Sequence, residues 1–267
     1  MSDGFTDASG QSFAQRVEAE KLAALAEFAA GAGHEINNPL AVISGRAQLL
    51  LAGEKDPERR RELATIHRQA LRIREMISDL MHFARPAQPR LASLDLREVV
   101  TNVIERLQTR ARGSQVELTW HTPPEALSVR GDRNQLAVAV SAVVENAIDA
   151  IELTQSKLAT VGAAVRAEAV TAARSPRGAV RVIASVSKRP NEVAWARVEI
   201  ADDGPGFGPE IRQHLFDPYF SGRSAGRGTG MGLSKCWRIV TLHGGSIEVA
   251  SEAGQGASFT LILPLSE

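Results

Sequence analysis

Two stretches of regular apolar spacing constrain this chain more than any other feature. Leu22, Leu25, Ala29, Ala32, Ile36, Leu40, Ile43, Ala47 and Leu50 recur at intervals of three or four residues. At about 100° per residue, all nine lie within roughly 40° of one line on a helix surface. The spacing predicts a long helix from Arg16 to Ala52-Gly53, with the glycine at the C′ position. Asp56-Pro57 restarts a helix as N-cap and first helical residue. The second helix repeats the pattern at Leu63, Ile66, Ala70, Ile73, Ile77, Leu80 and Ala84 and ends at Arg85-Pro86. Two long helices joined by a short turn pack antiparallel. A lone hairpin of this kind buries only part of its stripe, and a homodimer forming a four-helix bundle is the economical remedy. Packing of the hairpin on the chain's own second domain is the alternative. Residues 1–15, polar and Gly/Ser/Asp-containing, read as a disordered tail.

The stiff break Pro86-Ala-Gln-Pro89 separates a hairpin domain, 16–88, from a second domain, 89–267. Beyond the break the pattern is mixed. Helices are expected over about 95–111, 133–153, 209–215 and 231–243, and strands over 116–121, 127–131, 179–187, 194–201, 246–251 and 258–264. That order indicates a two-layer α/β sandwich, an α+β domain with helices on one face of a mixed sheet. Residues 152–177 are Ala-rich and weakly amphipathic, and read as an extended helix or helical insertion.

Charge narrows the function classes. With 31 basic and 31 acidic residues the formal charge is zero, so neither a generally basic nucleic-acid binder nor a polybasic membrane-surface protein is expected. The single cysteine, Cys236, excludes a disulfide framework and a Cys-rich zinc site. No apolar run approaches the length of a membrane span, and residues 1–15 have no leader pattern. The reading is a cytoplasmic, soluble protein.

Four constellations carry chemistry. In Gly33-His34-Glu35-Ile36-Asn37-Asn38-Pro39-Leu40, His34 falls about 160° from the apolar stripe, and Asn38 lies one turn later on the same face. A solvent-facing imidazole beside a carboxylate, Glu35, suits nucleophilic work near neutral pH, although an idle surface histidine fits the segment equally. Pro39 removes a backbone hydrogen bond to Glu35 and is expected to kink the helix. Asn146, in Val-Val-Glu-Asn-Ala-Ile-Asp-Ala, is either a helix-bridging amide or a magnesium ligand. Ala201-Asp202-Asp203-Gly204-Pro205-Gly206-Phe207 follows a strand. It is either an ordinary turn or a buried carboxylate that accepts from an exocyclic amine, with glycines admitting a flat ring. The run Ser221 to Leu233 holds five glycines and two arginines and leads into a helix, a pattern suited to binding an anion.

In this order and spacing, HEINNPL, VENAIDA, ADDGPGF, FDPYF and GRGTGMGL closely resemble the sensor histidine kinases, over roughly residues 20–264. HEINNPL and FDPYFSGR look most like the nitrogen-regulator-type subgroup. The resemblance implies a dimeric phosphoacceptor hairpin and an ATP-binding domain of the gyrase/Hsp90/MutL type, with ATP and Mg²⁺ as cofactors. It makes His34 the phosphorylated nucleophile and Glu35 its acid/base partner. Asn38 would position water when a phosphorylated response regulator is dephosphorylated. Asn146 would hold Mg²⁺, with Asp149 also at the nucleotide. Asp202 would accept the adenine amine in a pocket shaped by Gly204 and Gly206. Phe216 and Phe220 would anchor a lid, and Arg223 stands where a lid lysine commonly reaches the γ-phosphate. Gly228, Thr229, Gly230, Gly232 and Leu233 would wrap the triphosphate.

One departure is Ala142, where the family usually carries an amide or acid four residues before the magnesium asparagine. It leaves open a weakened ATP-binding scaffold that docks a response regulator. A non-kinase ATPase of the gyrase/Hsp90/MutL type fits less well, because only Leu265-Ser-Glu follows the last expected strand. The output implied is a receiver-domain aspartate on a separate protein. The input is expected from a partner, from 152–177, or from a piece outside this chain.

Overall fold

The computed structural model describes residues 13–84, 86–162, 178–187, 194–220 and 230–266; the side chains of 13–30, 32, 34, 82 and 156–162 lie outside the description. The chain divides into two compact units, Met1–Ala87 and Gln88–Glu267.

The first unit is a hairpin of α1 (Phe13–Gly53) and α2 (Pro57–Ala84). Residues 13–15, expected as tail, form the first turn of α1, and residues 1–12 lie outside the described residues. At the turn, Asp56 Oδ1 accepts the N–H of Glu58 at 2.9 Å and Pro57 opens α2, as the sequence predicts. Gly53 differs from expectation. It is the last helical residue and has no left-handed φ; Arg60 instead donates to the carbonyls of Leu51 at 3.1 Å and Glu54 at 3.4 Å. The helix runs on through Pro39, which lacks the N–H that would bond the Glu35 carbonyl.

The apolar stripe of α1 splits into two rails with a seven-residue repeat. Gly33, Leu40 and Ala47 are buried, while Ile36, Ile43 and Leu50 are exposed. On α2, Ala70 and Ala84 are buried, while Ile66 and Ile73 are exposed. Leu40 retains 7% of its surface and Ile43 retains 47%. A single hairpin thus covers one rail of each helix and leaves much of the other bare. Between the helices, the Ser44 hydroxyl and His67 Nδ1 are hydrogen-bonded at 3.0 Å.

The second unit contains β1 (Ala92–Asp95), α3 (Leu96–Gly113), β2 (Val116–His121), β3 (Ser128–Gly131), α4 (Arg133–Gly162) and β4 (Gly178–Ser187). It continues with β5 (Trp195–Asp202), α5 (Pro209–Arg212), α6 (Gly232–Leu242), β6 (Ser246–Ser251) and β7 (Ala257–Pro264). Sequence reading misses β1, whose only buried side chain is Leu94, too little to show an alternation. It overextends α5, which gives way to turn structure after Arg212. Of the Ala-rich stretch, 152–162 continues α4 and 163–177 lies outside the described residues.

The main sheet has the order β2-β4-β5-β7-β6; β2 and β4 are parallel and the other pairs antiparallel. A separate antiparallel pair joins β1 to β3. Val180, Val182, Ala196, Val198 and Ile200 alternate inward, while Arg181 and Glu199 alternate outward. The inward face meets Val99, Val100 and Val103 of α3 and Val140, Val144 and Ile148 of α4 in one buried cluster. Each such buried aliphatic side chain stabilises by roughly 1.5–3 kcal/mol relative to exposure.

Candidate nucleotide-binding and phosphoacceptor sites

Helix α4 is the spine of the site in the second unit. A polar seam with α3 fixes its register. Arg106 bonds Ser141, Arg110 bonds Asp149 and lies 3.7 Å from Glu145, and Ser114 bonds Glu152. The α3 partners are four residues apart, matching the turns of α4. Glu145 and Asp149 are therefore engaged by α3, and Asn146, half-buried, stands between them in the chain.

Ala142, Asn146 and Ala150 follow one another by single turns along α4, over about 12 Å. At one end of that line, a Cβ placed on Gly232 would lie 3.8 Å from the Ala142 Cβ, so the start of α6 rests there. The N-cap of α6, Met231, supplies no side-chain hydrogen bond, which leaves first-turn N–H groups available to an anion. At the other end, a Cβ on Gly204 would lie 3.4 Å from the Ala150 Cβ and 2.6 Å from Asp202 Oδ1. The fold thus brings Asn146, the Asp202 turn and the end of the glycine-rich run to one helix.

Asp202 closes β5 and accepts the Gly204 N–H at 2.9 Å. It is half-buried, not buried as expected, because the strand end lies at the sheet margin. Its neighbour Asp203 is spent structurally, accepting the Ala179 N–H at 2.8 Å. Gly206 has a backbone reason of its own. Its φ is 57°, and a Cβ there would meet the Glu252 backbone oxygen at 2.0 Å, so the turn between β6 and β7 demands a glycine at this position.

Phe216 and Phe220 are half-buried, with Phe216 packed on the core. The Phe220 ring lies 5.4 Å from that of His214, whose Nδ1 pairs with Asp217 Oδ2 at 2.7 Å. Gly230 reaches back to the same segment. Leu233, half-buried, packs on the core from the first turn of α6. Arg223, Gly228 and Thr229 lie outside the described residues. In the hairpin, Glu35 and Asn38 are exposed on α1, and the His34 side chain lies outside the description. Gly33 beside it is buried, and a Cβ there would lie 2.8 Å from Met81 Sδ of α2.

Among the described residues no group of three or more His, Cys, Asp or Glu side chains could hold a metal. A hard cation sharing one amide oxygen with phosphates and water needs no such cage, and the Asn146 carboxamide suits Mg²⁺ bound in that way. Cys236 is fully buried, and burial pushes its thiol pKa well up, which leaves it unreactive.

Two family descriptions match this chain. Residues 131–267 match the histidine kinase-, DNA gyrase B- and HSP90-like ATPases, and residues 24–89 match the His Kinase A phospho-acceptor domain. The chain belongs to the histidine kinase-, DNA gyrase B- and HSP90-like ATPase family. A phospho-acceptor domain match lies ahead of that fold, a domain pairing like that of the two-component sensor histidine kinases.

The signal transduction histidine-protein kinase AtoS of Escherichia coli strain K12 is 29% identical over 264 residues, covering 98% of this chain and 39% of AtoS. The sensor histidine kinase ZraS of Klebsiella oxytoca is 32% identical over 248 residues, covering 92% of this chain and 47% of ZraS. This family member therefore spans less than half the length of either relative. Full-length ShkA, solved in complex with AMPPNP, shares the fold with a TM-score of 0.68 at 24% identity, over 90% of this chain and 46% of that one. ThkA, solved in complex with the response regulator protein TrrA, does so with a TM-score of 0.60 at 20% identity, over 99% and 74%.

Sequence reading of this kinase-family chain missed the α3–α4 seam and the β6–β7 turn. Arg106, Arg110 and Ser114 repeat every four residues, a signal the sequence did hold. Ser251 and Gly256 lie far from Asp202 in the chain, and no local pattern links them.

Proposed function

We propose that this chain phosphorylates itself on His34 with ATP and passes the phosphoryl group to an aspartate on the receiver domain of a separate response regulator. The observation that carries this reading is the convergence on α4 of Asn146, the Asp202 turn and the α6 N-terminus, in a chain that also holds a phospho-acceptor hairpin.

ATP is bound by the second unit. Asp202 accepts from the adenine amine, and the first turn of α6 and the glycine-rich run before it take the phosphates. The Asn146 amide oxygen holds Mg²⁺, which neutralises phosphate charge when bound. A His34 ring nitrogen attacks the γ-phosphorus, the N–P bond forms, and the bond to the β–γ bridging oxygen breaks to release ADP. Glu35 takes up the ring proton. Arg223 pairs with charge on the transferred group. Attack by a receiver carboxylate on the phosphohistidine then breaks the N–P bond and forms an acyl phosphate. Asn38 orients the water that hydrolyses it.

The exposed rail Ile36–Ile43–Leu50, with Ile66 and Ile73, supports a homodimer that closes the bundle. Val42 and Leu49, off that rail and 62% and 75% exposed, share a face with Asn38 and supply apolar surface for the receiver.

Incubation with γ-labelled ATP and Mg²⁺ tests the proposal. Acid-labile, base-stable label that disappears in His34→Gln is the expected result, and ATP binding without label would overturn it. That second outcome favours the scaffold reading, which rests on Ala142 standing where the family usually carries an amide or acid beside the magnesium asparagine.

A further inference from the structure

The turn Asp202–Phe207 is held by the β6–β7 hairpin, not by its own element alone. Gly256 has a φ of 81°, and a Cβ on it would meet the Asp202 backbone oxygen at 2.0 Å. On the other side of the same contact, a Cβ on Gly206 would meet the Glu252 oxygen at 2.0 Å and the Gly256 oxygen at 2.7 Å. Two backbones touch with no side chain between them. The Gly254 N–H donates to the Pro205 carbonyl at 2.7 Å. Ser251 bridges both segments: its Oγ accepts the Phe207 N–H at 2.9 Å and donates to the Gly256 carbonyl at 2.8 Å. The Phe207 ring then meets Phe259 of β7 at 6.2 Å between centroids.

Ser251 ties Phe207, one end of the turn, to Gly256, which lies against Asp202. We infer that Ser251 and the β6–β7 turn are positioning elements for the Asp202 carboxylate and so set the selectivity of this site for an adenine over a guanine base. The inference rests on the assignment of Asp202 to the purine amine. A misplaced carboxylate forfeits a hydrogen bond to that amine but leaves phosphate binding at α6 untouched. Its signature is therefore a change in base preference, which a purely structural loss of packing would not give.

The full chain is titrated with ATP and with GTP by calorimetry, in wild type, Ser251→Ala, Ser251→Thr and Asp202→Asn, with melting temperatures measured alongside. Ser251→Ala is expected to weaken ATP about fivefold, the worth of about one hydrogen bond, with GTP unchanged. Ser251→Thr, which keeps the hydroxyl, restores the ATP value. Equal weakening of ATP and GTP, or a lowered melting temperature with unaltered base preference, overturns the inference. A wild type without ATP preference, or one whose preference survives in Asp202→Asn, would instead remove the adenine assignment itself.

Discussion

Gly230 and Tyr219 stand back to back: a Cβ on Gly230 would lie 2.7 Å from the Tyr219 carbonyl oxygen and 2.6 Å from its carbonyl carbon. Both residues have positive φ, 69° for Gly230 and 63° for Tyr219. Their contact brings together the described residues on either side of 221–229, the stretch that holds Arg223, Gly228 and Thr229. Any residue but glycine at 230 must part them and adopt a left-handed backbone, at a cost of roughly 1–2 kcal/mol for the backbone alone. Gly230→Ala is expected to weaken ATP about tenfold or more while far-ultraviolet circular dichroism stays unchanged. Calorimetry that returns the wild-type affinity would break the link between this contact and phosphate binding.

The rails of the hairpin give a second prediction. Ile43 and Ile73 sit on the uncovered side of α1 and α2, so a charge there costs the lone hairpin little and costs a packed dimer a buried, unpaired ion. Ile43→Glu combined with Ile73→Glu should convert the full chain from dimer to monomer in sedimentation velocity, with ATP binding retained. A variant that stays dimeric places the contact elsewhere.

Periodicity made the hairpin legible because a helix buried along one side repeats its apolar residues every three or four positions. It could not say which half of the stripe stays bare. Leu40 and Ile43 look alike in a sequence, and only the direction of α2 separates them. The strands β4, β5 and β7 were legible from alternation or continuous apolar runs. β1 was hidden because only Leu94 turns inward. In the candidate site, Asp202 and Asn146 announced themselves as polar residues in apolar elements. The reason for Gly206 did not, since its partner Glu252 lies 46 residues away and acts through backbone. Contacts between backbones leave no side-chain signature beyond a glycine.

The α3–α4 seam supports a third prediction. Arg110 ties Asp149 and approaches Glu145, the residues that flank Asn146 on α4. These groups are partly exposed, so the stability at stake is modest, about 0.2–1 kcal/mol. Arg110→Met removes a cation from Glu145 and Asp149, the two carboxylates on either side of Asn146 along α4. Affinity for Mg-ATP should fall two- to fivefold, roughly 0.4–1 kcal/mol, with a smaller loss for uncharged adenosine. Equal losses for both ligands would indicate a displaced helix instead of an electrostatic effect.

Acid stability of the second unit follows from two helix caps. Asp95 caps α3, and the Arg97 guanidinium, donating from Nη2 at 2.7 Å and Nε at 2.9 Å, holds its carboxyl below the usual carboxylate range; the N–H groups of Arg97 and Leu127 act in the same sense. Asp132 stands at the start of α4 and accepts N–H groups from Arg90 at 3.0 Å, from Gln135 at 3.2 Å and from Asn134 at 2.9 Å, which lower its carboxyl as well. A carboxyl with a lowered folded-state pKa stabilises fully above its unfolded value, about 3.9, and loses that contribution as pH falls through the folded value. The melting temperature should therefore hold steady with respect to these two groups above about pH 5 and drop below about pH 4. Asp95→Asn with Asp132→Asn should lower it at pH 7 and flatten the acid limb, since the amides accept at the caps without titrating. An acid limb as steep in the double variant as in the parent would assign the acid sensitivity to other carboxylates.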